Sequence, residues 1–204
     1  MFNIIRIIIG CVFLGCSITV IKRSKVIRKR IMYIIFTSIS VALITVLEFL
    51  PFENLFITFN SPKGAYEYFI WGKSNIELVV EGNNSDLVID SNRDSYTYLI
   101  IPKTIDGWKI GIGLNTKRIF RKHSNGISVY VHQYKNTNDY FITIFDTNGG
   151  ELVISDDYNT KFYSLEKKND FLGETFVTYY AHISDFNSEY SVVVNGNKIA
   201  LQNQ

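Results

Sequence analysis

The chain has 204 residues, 47% of them hydrophobic, which is room for one ordinary domain and an added segment. Its formal net charge of +2 hides an uneven division: residues 1–50 carry seven Lys and Arg against one acid, net +6, and residues 51–204 carry 14 bases against 18 acids, net −4. The mild overall basicity describes neither part, so it is no evidence for a nucleic-acid partner, and none is expected.

In chain order, the first element is an apolar run over about residues 3–21, interrupted only by Asn3 and Arg6, and residues 31–50 form a second run that is uncharged until Glu48. A helix rises about 1.5 Å per residue and a bilayer core is about 30 Å thick, so roughly 20 residues cross it. Both runs meet that length, and together they predict a two-helix N-terminal transmembrane hairpin over residues 1–50 with the lipid bilayer as its partner. The nearly uncharged N-terminus, with no small-residue cleavage site after the run, argues against a removed signal peptide. Cys11 and Cys16 sit in sequences that look like lipoboxes, but one follows too short an apolar stretch and the other is followed by further apolar residues.

Between the runs lies KRSKVIRKR, residues 22–30, with Lys22, Arg23, Lys25, Arg28, Lys29 and Arg30 and no acid. Short loops rich in Lys and Arg stay in the cytoplasm. The turn is therefore read as a topology signal that places both termini and residues 51–204 outside, a multi-pass arrangement in the cell membrane. Folding the two runs against each other brings Arg6 and Glu48 to similar depth, as an expected intramembrane ion pair. The same register sets Cys11 and Gly15 beside Ala42 and Ser38, small residues that would let the helices approach closely.

Residues 51–75 form a juxtamembrane segment with one short helix. Phe49, Phe52, Phe56 and Phe59 recur at helical spacing, as an interfacial collar would, and Ser61 followed by Pro62 is an N-cap and first helical residue, so a helix is expected over residues 62–71.

From residue 76 the chain is a series of short segments rich in Val, Ile, Tyr, Phe and Thr, separated by Asn, Asp, Gly and Ser. This predicts an all-β extracytoplasmic domain over residues 76–204, an antiparallel β-sandwich or open-barrel-like sheet. Asn83-Asn84, the TNGG of residues 147–150 and Asn195-Gly196 supply residues that tolerate positive φ in hairpin turns.

Chemistry is sparse in this part. Gly111-Ile112-Gly113 lacks the third glycine and the helix of a dinucleotide loop, and His123, His132 and His182 have no metal-ligand spacing. No thiol lies beyond residue 16, and no serine stands in a nucleophile motif. No catalytic residues, metal or cofactor are therefore expected. One segment, NTKRIFRKHSNG at residues 115–126, collects Lys117, Arg118, Arg121 and Lys122 and is expected to be a solvated connection able to contact anionic material. Tyr and Phe elsewhere on the strands are candidates for a sugar-binding face, though such spacing is commoner in cores.

The expected function is a non-enzymatic, membrane-anchored binding or interaction protein of a bacterial cell envelope. Its partner would be another membrane or envelope protein or an anionic wall polymer. Alternatives are an accessory subunit or immunity protein of a membrane complex, and an envelope-acting hydrolase without a legible motif. The heavy use of Ile, Asn, Lys, Tyr and Phe is the composition of an AT-rich bacterial genome.

Overall fold

The computed structural model describes all residues except 1, 24–25, 50, 71–73, 93–94, 112–115, 136, 147–149, 169–174, 185, 187–188 and 202–204. Two helices come first, α1 (Phe2–Arg23) and α2 (Ile27–Phe49). They pack along a seam on which Gly10, Phe13, Ser17 and Ile21 of α1 and Tyr33, Thr37 and Ser40 of α2 are the least exposed residues. The three-to-four-residue spacing of these positions is that of one helix stripe. Phe13 and Phe36 touch across the pair, ring centroids 5.9 Å apart.

That contact sets Gly15 level with Ile34, about one turn away from the expected partner Ser38. The shift arises because α2 already begins at Ile27, so most of the basic stretch is helical and the link is shorter than nine residues. Cys11, Gly15, Ser38 and Ala42 are exposed, and a Cβ on Gly15 would meet nothing within 4 Å. Close backbone approach at those four positions is therefore not what joins the helices. Among the described residues, no helix is long and apolar enough to cross a membrane.

A 3-10 turn, Phe52–Leu55, leads into α3 (Pro62–Phe69). Ser61 caps α3 as expected, its Oγ accepting from the Gly64 N–H at 3.0 Å with Pro62 at the first position. Among the described residues twelve strands follow: β1 (Ile76–Glu81), β2 (Ser85–Asn92), β3 (Ser95–Thr104), β4 (Gly107–Trp108), β5 (Thr116–Ser124), β6 (Ile127–Tyr134), β7 (Tyr140–Asp146), β8 (Ile154–Asp156), β9 (Tyr163–Lys168), β10 (Thr175–Ile183), β11 (Ser191–Val194) and β12 (Asn197–Ala200). They form three antiparallel sheets, in the orders β1-β2-β3-β4, β5-β6-β7-β10-β9 and β12-β11-β8.

The sheets stack with the five-stranded one in the middle. One of its faces (Val129, Val131, Ile142, Ile144, Ala181) packs on Val192, Val194 and Ile199 of the three-stranded sheet and on Leu201 just after it. The other (Tyr134, Phe141, Tyr180) meets Val80, Leu87, Ile89 and Ile100 of the four-stranded sheet. The far side of that sheet, with Val88 and Ile101, is closed by Ala65 and Tyr66 of α3. This layering explains the continuous apolar run Leu87-Val88-Ile89, all nearly inaccessible: a strand covered on both faces has no reason to alternate.

Most of the expected strands are present, with three departures. The 115–126 segment is not a connection, because Thr116–Ser124 is a strand at the edge of the central sheet. The TNGG segment does not close a hairpin between its flanking strands, since β7 and β8 belong to different sheets. Its residues 147–149 lie outside those described. At Asn83-Asn84 neither residue takes a positive φ, whereas Asn195-Gly196 does so at both positions as expected; the other described non-glycine residues with positive φ are Asn125, Lys135 and Asn159. Gly111 is needed for close approach, because a Cβ there would lie 2.1 Å from the Ile100 carbonyl oxygen.

Candidate functional site

In a regular strand, residues three apart point to opposite faces, so the spacing of Arg118 and Arg121 would separate them. The register of β5 on β6 changes between Arg118 and Phe120, leaving Ile119 as the extra residue of a bulge. Arg118 consequently pairs with His132, and Arg121 with Tyr130, two residues of β6 that share a face. Both guanidinium groups gather at Tyr130, 6.0 Å (Arg118) and 5.7 Å (Arg121) from its ring centroid.

Tyr130 also lies nearly parallel to Phe145 of β7, with centroids 5.8 Å apart and planes at 16°. On its other side is His132, at 6.5 Å and 20°. Tyr98, from β3 of the neighbouring sheet, closes the row: its ring centroid is 5.3 Å from that of His132 and its hydroxyl is 3.1 Å from His132 Nε2. The four-stranded sheet covers only part of this face, leaving a cleft between the sheets. One part, of about 320 Å³, is lined by Tyr98, Arg118, Tyr130, His132, Thr143 and Phe145. Another, of about 400 Å³, shares Tyr98, Arg118 and His132 and extends to Thr116.

Burial and, second, the Arg118 charge push the His132 imidazole down to about 4, so it is neutral at neutral pH. Burial also raises the Tyr98 hydroxyl, assisted by Tyr130 and opposed by Arg118. The Tyr98–His132 contact is thus a hydrogen bond between two neutral groups. Among the described residues that line the cleft, Arg118 alone carries a formal charge; Arg121 stands beside it at the Tyr130 ring, and among the described residues neither makes a salt bridge.

The four basic residues singled out in the sequence therefore divide. Arg118 lines the cleft and Arg121 stands at its margin over Tyr130, whereas Lys117 and Lys122, opposite Gln133 and Val129, take register positions on the other face. Lys22, Arg23, Arg28, Lys29 and Arg30 are exposed around the α1–α2 junction. Lys25 and the side chains of Arg6 and Glu48 lie outside the described residues. From the sequence, His132 is named only as a histidine without metal-ligand spacing, and Tyr98, Tyr130 and Phe145 are not named. The one available signal was the alternation Tyr130-Val131-His132, which puts a ring and an imidazole on one face.

Asp139 and His182 form a second polar cluster. The carboxylate is inaccessible to solvent and accepts from the Asn83 N–H (2.9 Å), the Asn84 N–H (2.6 Å) and Ser85 Oγ (3.1 Å), with His182 Nε2 at 2.9 Å. Burial disfavours its charge, but these donors outweigh burial and hold the carboxyl below its usual range. His182 also lines a cavity of about 320 Å³ with Tyr158, Thr160, Ser184 and Tyr190. Among the described residues, however, no hydroxyl or thiol bonds its second nitrogen, as a nucleophile–base pair requires. The pair is a clasp between sheets. Among the described residues, no group of three or more His, Cys, Asp or Glu is arranged to hold a metal.

The fold and cleft define an antiparallel β domain that presents paired guanidinium groups over a row of aromatic rings. Compared with known proteins, the chain matches no family model, no curated protein and no solved structure.

Proposed function

We propose that the protein is a membrane-anchored binding module of a bacterial cell envelope, non-enzymatic, with its ligand taken in the cleft of the β domain. One observation carries the binding role: Arg118 and Arg121 are brought by a bulge to one aromatic face, and among the described residues no carboxylate pairs with either. Exposed cations held over rings on an open sheet face are placed to meet an anionic group from outside.

The anchoring role is supported by the helices. α1 and α2 are 22 and 23 residues long, and away from their shared seam the described apolar side chains point outward, with Val12 61%, Met32 67% and Phe36 58% exposed. An uncovered apolar surface of this kind needs a non-aqueous partner. The described stretches fall short of a full span, and the sequence of the flanking ends, residues 2–7 and 43–49, continues apolar apart from Asn3, Arg6 and Glu48. Lys22, Arg23, Arg28, Lys29 and Arg30 at the far end of the pair fit a cytoplasmic turn, with residues 51–204 and both termini outside.

Labelling tests the arrangement. In a chain with Cys11 and Cys16 replaced by Ser, Lys22→Cys and Ser124→Cys are introduced separately, and intact cells are treated with a membrane-impermeant maleimide. The expected result is labelling at position 124 and protection at position 22, with the chain retained in membranes after alkaline extraction. Labelling at position 22, or release of the chain by alkali, overturns the anchoring.

A further inference from the structure

We propose that the cleft between β3 and β5–β7 recognises an acidic sugar: a pyranose ring that carries a carboxylate or a phosphate. This names the ligand class of the binding module proposed above and rests on that proposal.

Two different chemistries converge in the cleft, and a sugar acid is a ligand that uses both. The first is charge. A guanidinium packed against a ring keeps its planar N–H edge free, and that edge matches the two oxygens of a carboxylate or phosphate. Arg118 and Arg121 give two such edges at one ring, 6.0 and 5.7 Å from the Tyr130 centroid. The second is the aromatic row. Phe145 and His132 lie within 16° and 20° of parallel to Tyr130, with centroids 5.8 and 6.5 Å away, so the three rings stack side by side along the cleft that they line. The C–H groups of a pyranose pack against such ring surface, while its hydroxyls reach polar groups. Those groups are present as the hydroxyls of Thr143, Thr116 and Tyr98, with His132 beside them in its neutral form.

Size and setting agree. Small-ligand sites run from about 300 to 1,000 Å³, and spaces of about 320 and 400 Å³ sharing three residues suit one or two rings. An extended acidic peptide would instead add to the free edge of β5. There the bulge at Ile119 and the flanking lysines guard against strand pairing.

Isothermal titration of the purified full chain in uncharged detergent, at low salt, tests this with five probes. Oligogalacturonate and glucose 6-phosphate represent the carboxylate and phosphate sources, maltotetraose the uncharged sugar, and tetraglutamate and inorganic phosphate the anion without a sugar. At least one acidic sugar is expected to bind, with maltotetraose and both sugar-free anions weaker by about tenfold or more. Arg121→Gln and Phe145→Ala should each weaken binding of the acidic sugar by about tenfold, with unchanged cooperative unfolding showing that the variants fold. Equal binding of maltotetraose removes the role of the charge, and equal binding of tetraglutamate or inorganic phosphate removes the role of the ring. Absence of acidic-sugar binding at millimolar concentration by a folded chain overturns the inference. The labelling experiment above needs no ligand, so this failure is distinguishable from failure of the anchored arrangement.

Discussion

Asp139 accepts the Asn83 N–H through Oδ1 at 2.9 Å, and the same oxygen lies 2.9 Å from His182 Nε2. A single buried carboxylate, in the connection after β6, thereby ties the β1–β2 turn of one sheet to β10 of another. It also explains why Asn83 and Asn84 occupy that turn without positive φ: their backbone N–H groups are turned inward to the carboxylate rather than left to hairpin geometry.

Asp139→Asn replaces a full acceptor by a group that is half donor, against four donors. It should destabilise the chain by about 3 kcal/mol, read as a lower urea midpoint. The wild-type contribution has a definite pH window. Because the folded carboxyl is held below the ordinary 3.8, its stabilisation is complete above about pH 4 and is lost as pH falls through the lower folded value. The wild-type minus Asn difference should shrink on acidification below pH 4; a difference independent of pH there would contradict the clasp.

His132 shares that preference for the deprotonated form, which for an imidazole is the neutral one. Its folded pKa of about 4, set by burial and then by Arg118, lies below the unfolded value of 6.5, so the unfolded chain binds the proton first. Stability should fall as pH drops from about 6.5 to 4, by roughly 3 kcal/mol at most. His132→Gln should remove that slope in a series of denaturant titrations. If both proteins lose stability in parallel, His132 is not the group responsible.

Arg118→Gln should leave stability within about 1 kcal/mol, since the side chain is exposed and its ring contact is modest. The same substitution removes one of the two influences that depress the imidazole. NMR titration of the His132 ring should therefore show its pKa rising in the variant while remaining below 6.5, because burial is untouched.

Two glycines separate steric from conformational cost. A Cβ on Gly82 would sit 2.4 Å from the Ser85 carbonyl oxygen and 3.1 Å from His182 and Phe141, so Gly82→Ala should cost on the order of 2–3 kcal/mol by overpacking. Gly196, at φ +79° with open space around it, pays only for its left-handed backbone. Gly196→Ala should cost about 1 kcal/mol. Equal losses in thermal unfolding would show that the Gly82 contact relaxes.

Tyr190 is buried, and its hydroxyl donates to Asp156 Oδ2 at 2.5 Å. Tyr190→Phe keeps the packing and removes the donor, so a loss of about 1–2 kcal/mol is expected in urea unfolding.

Local chemistry made much of the β domain legible. Ser61-Pro62 marked the start of α3, and Asn195-Gly196 marked the β11–β12 turn. The runs that became β1–β3, β6, β7 and β9–β12 carried their strand identity in their own residue types. β5 was missed because four cations and the extra residue Ile119 break the period-2 pattern by which strands are recognised. The pairing of β7 with β10 rather than β8 was equally hidden, since strand partners are chosen by which apolar faces must be covered.

The sequence alone determined what depends on neighbours along the chain: the two apolar helices with a basic junction, the strand-forming runs, the cap and the turns. The cleft depended on tertiary structure. Arg118 and Arg121 share a face only because of a bulge whose register β6 sets, and Tyr98 reaches His132 only because two separate sheets stack. Asp139 finds Asn83, Asn84, Ser85 and His182 only where three distant segments converge. Side-chain direction, sheet order and the shielding that shifts a pKa are set by residues far apart in sequence, so local composition carries no record of them.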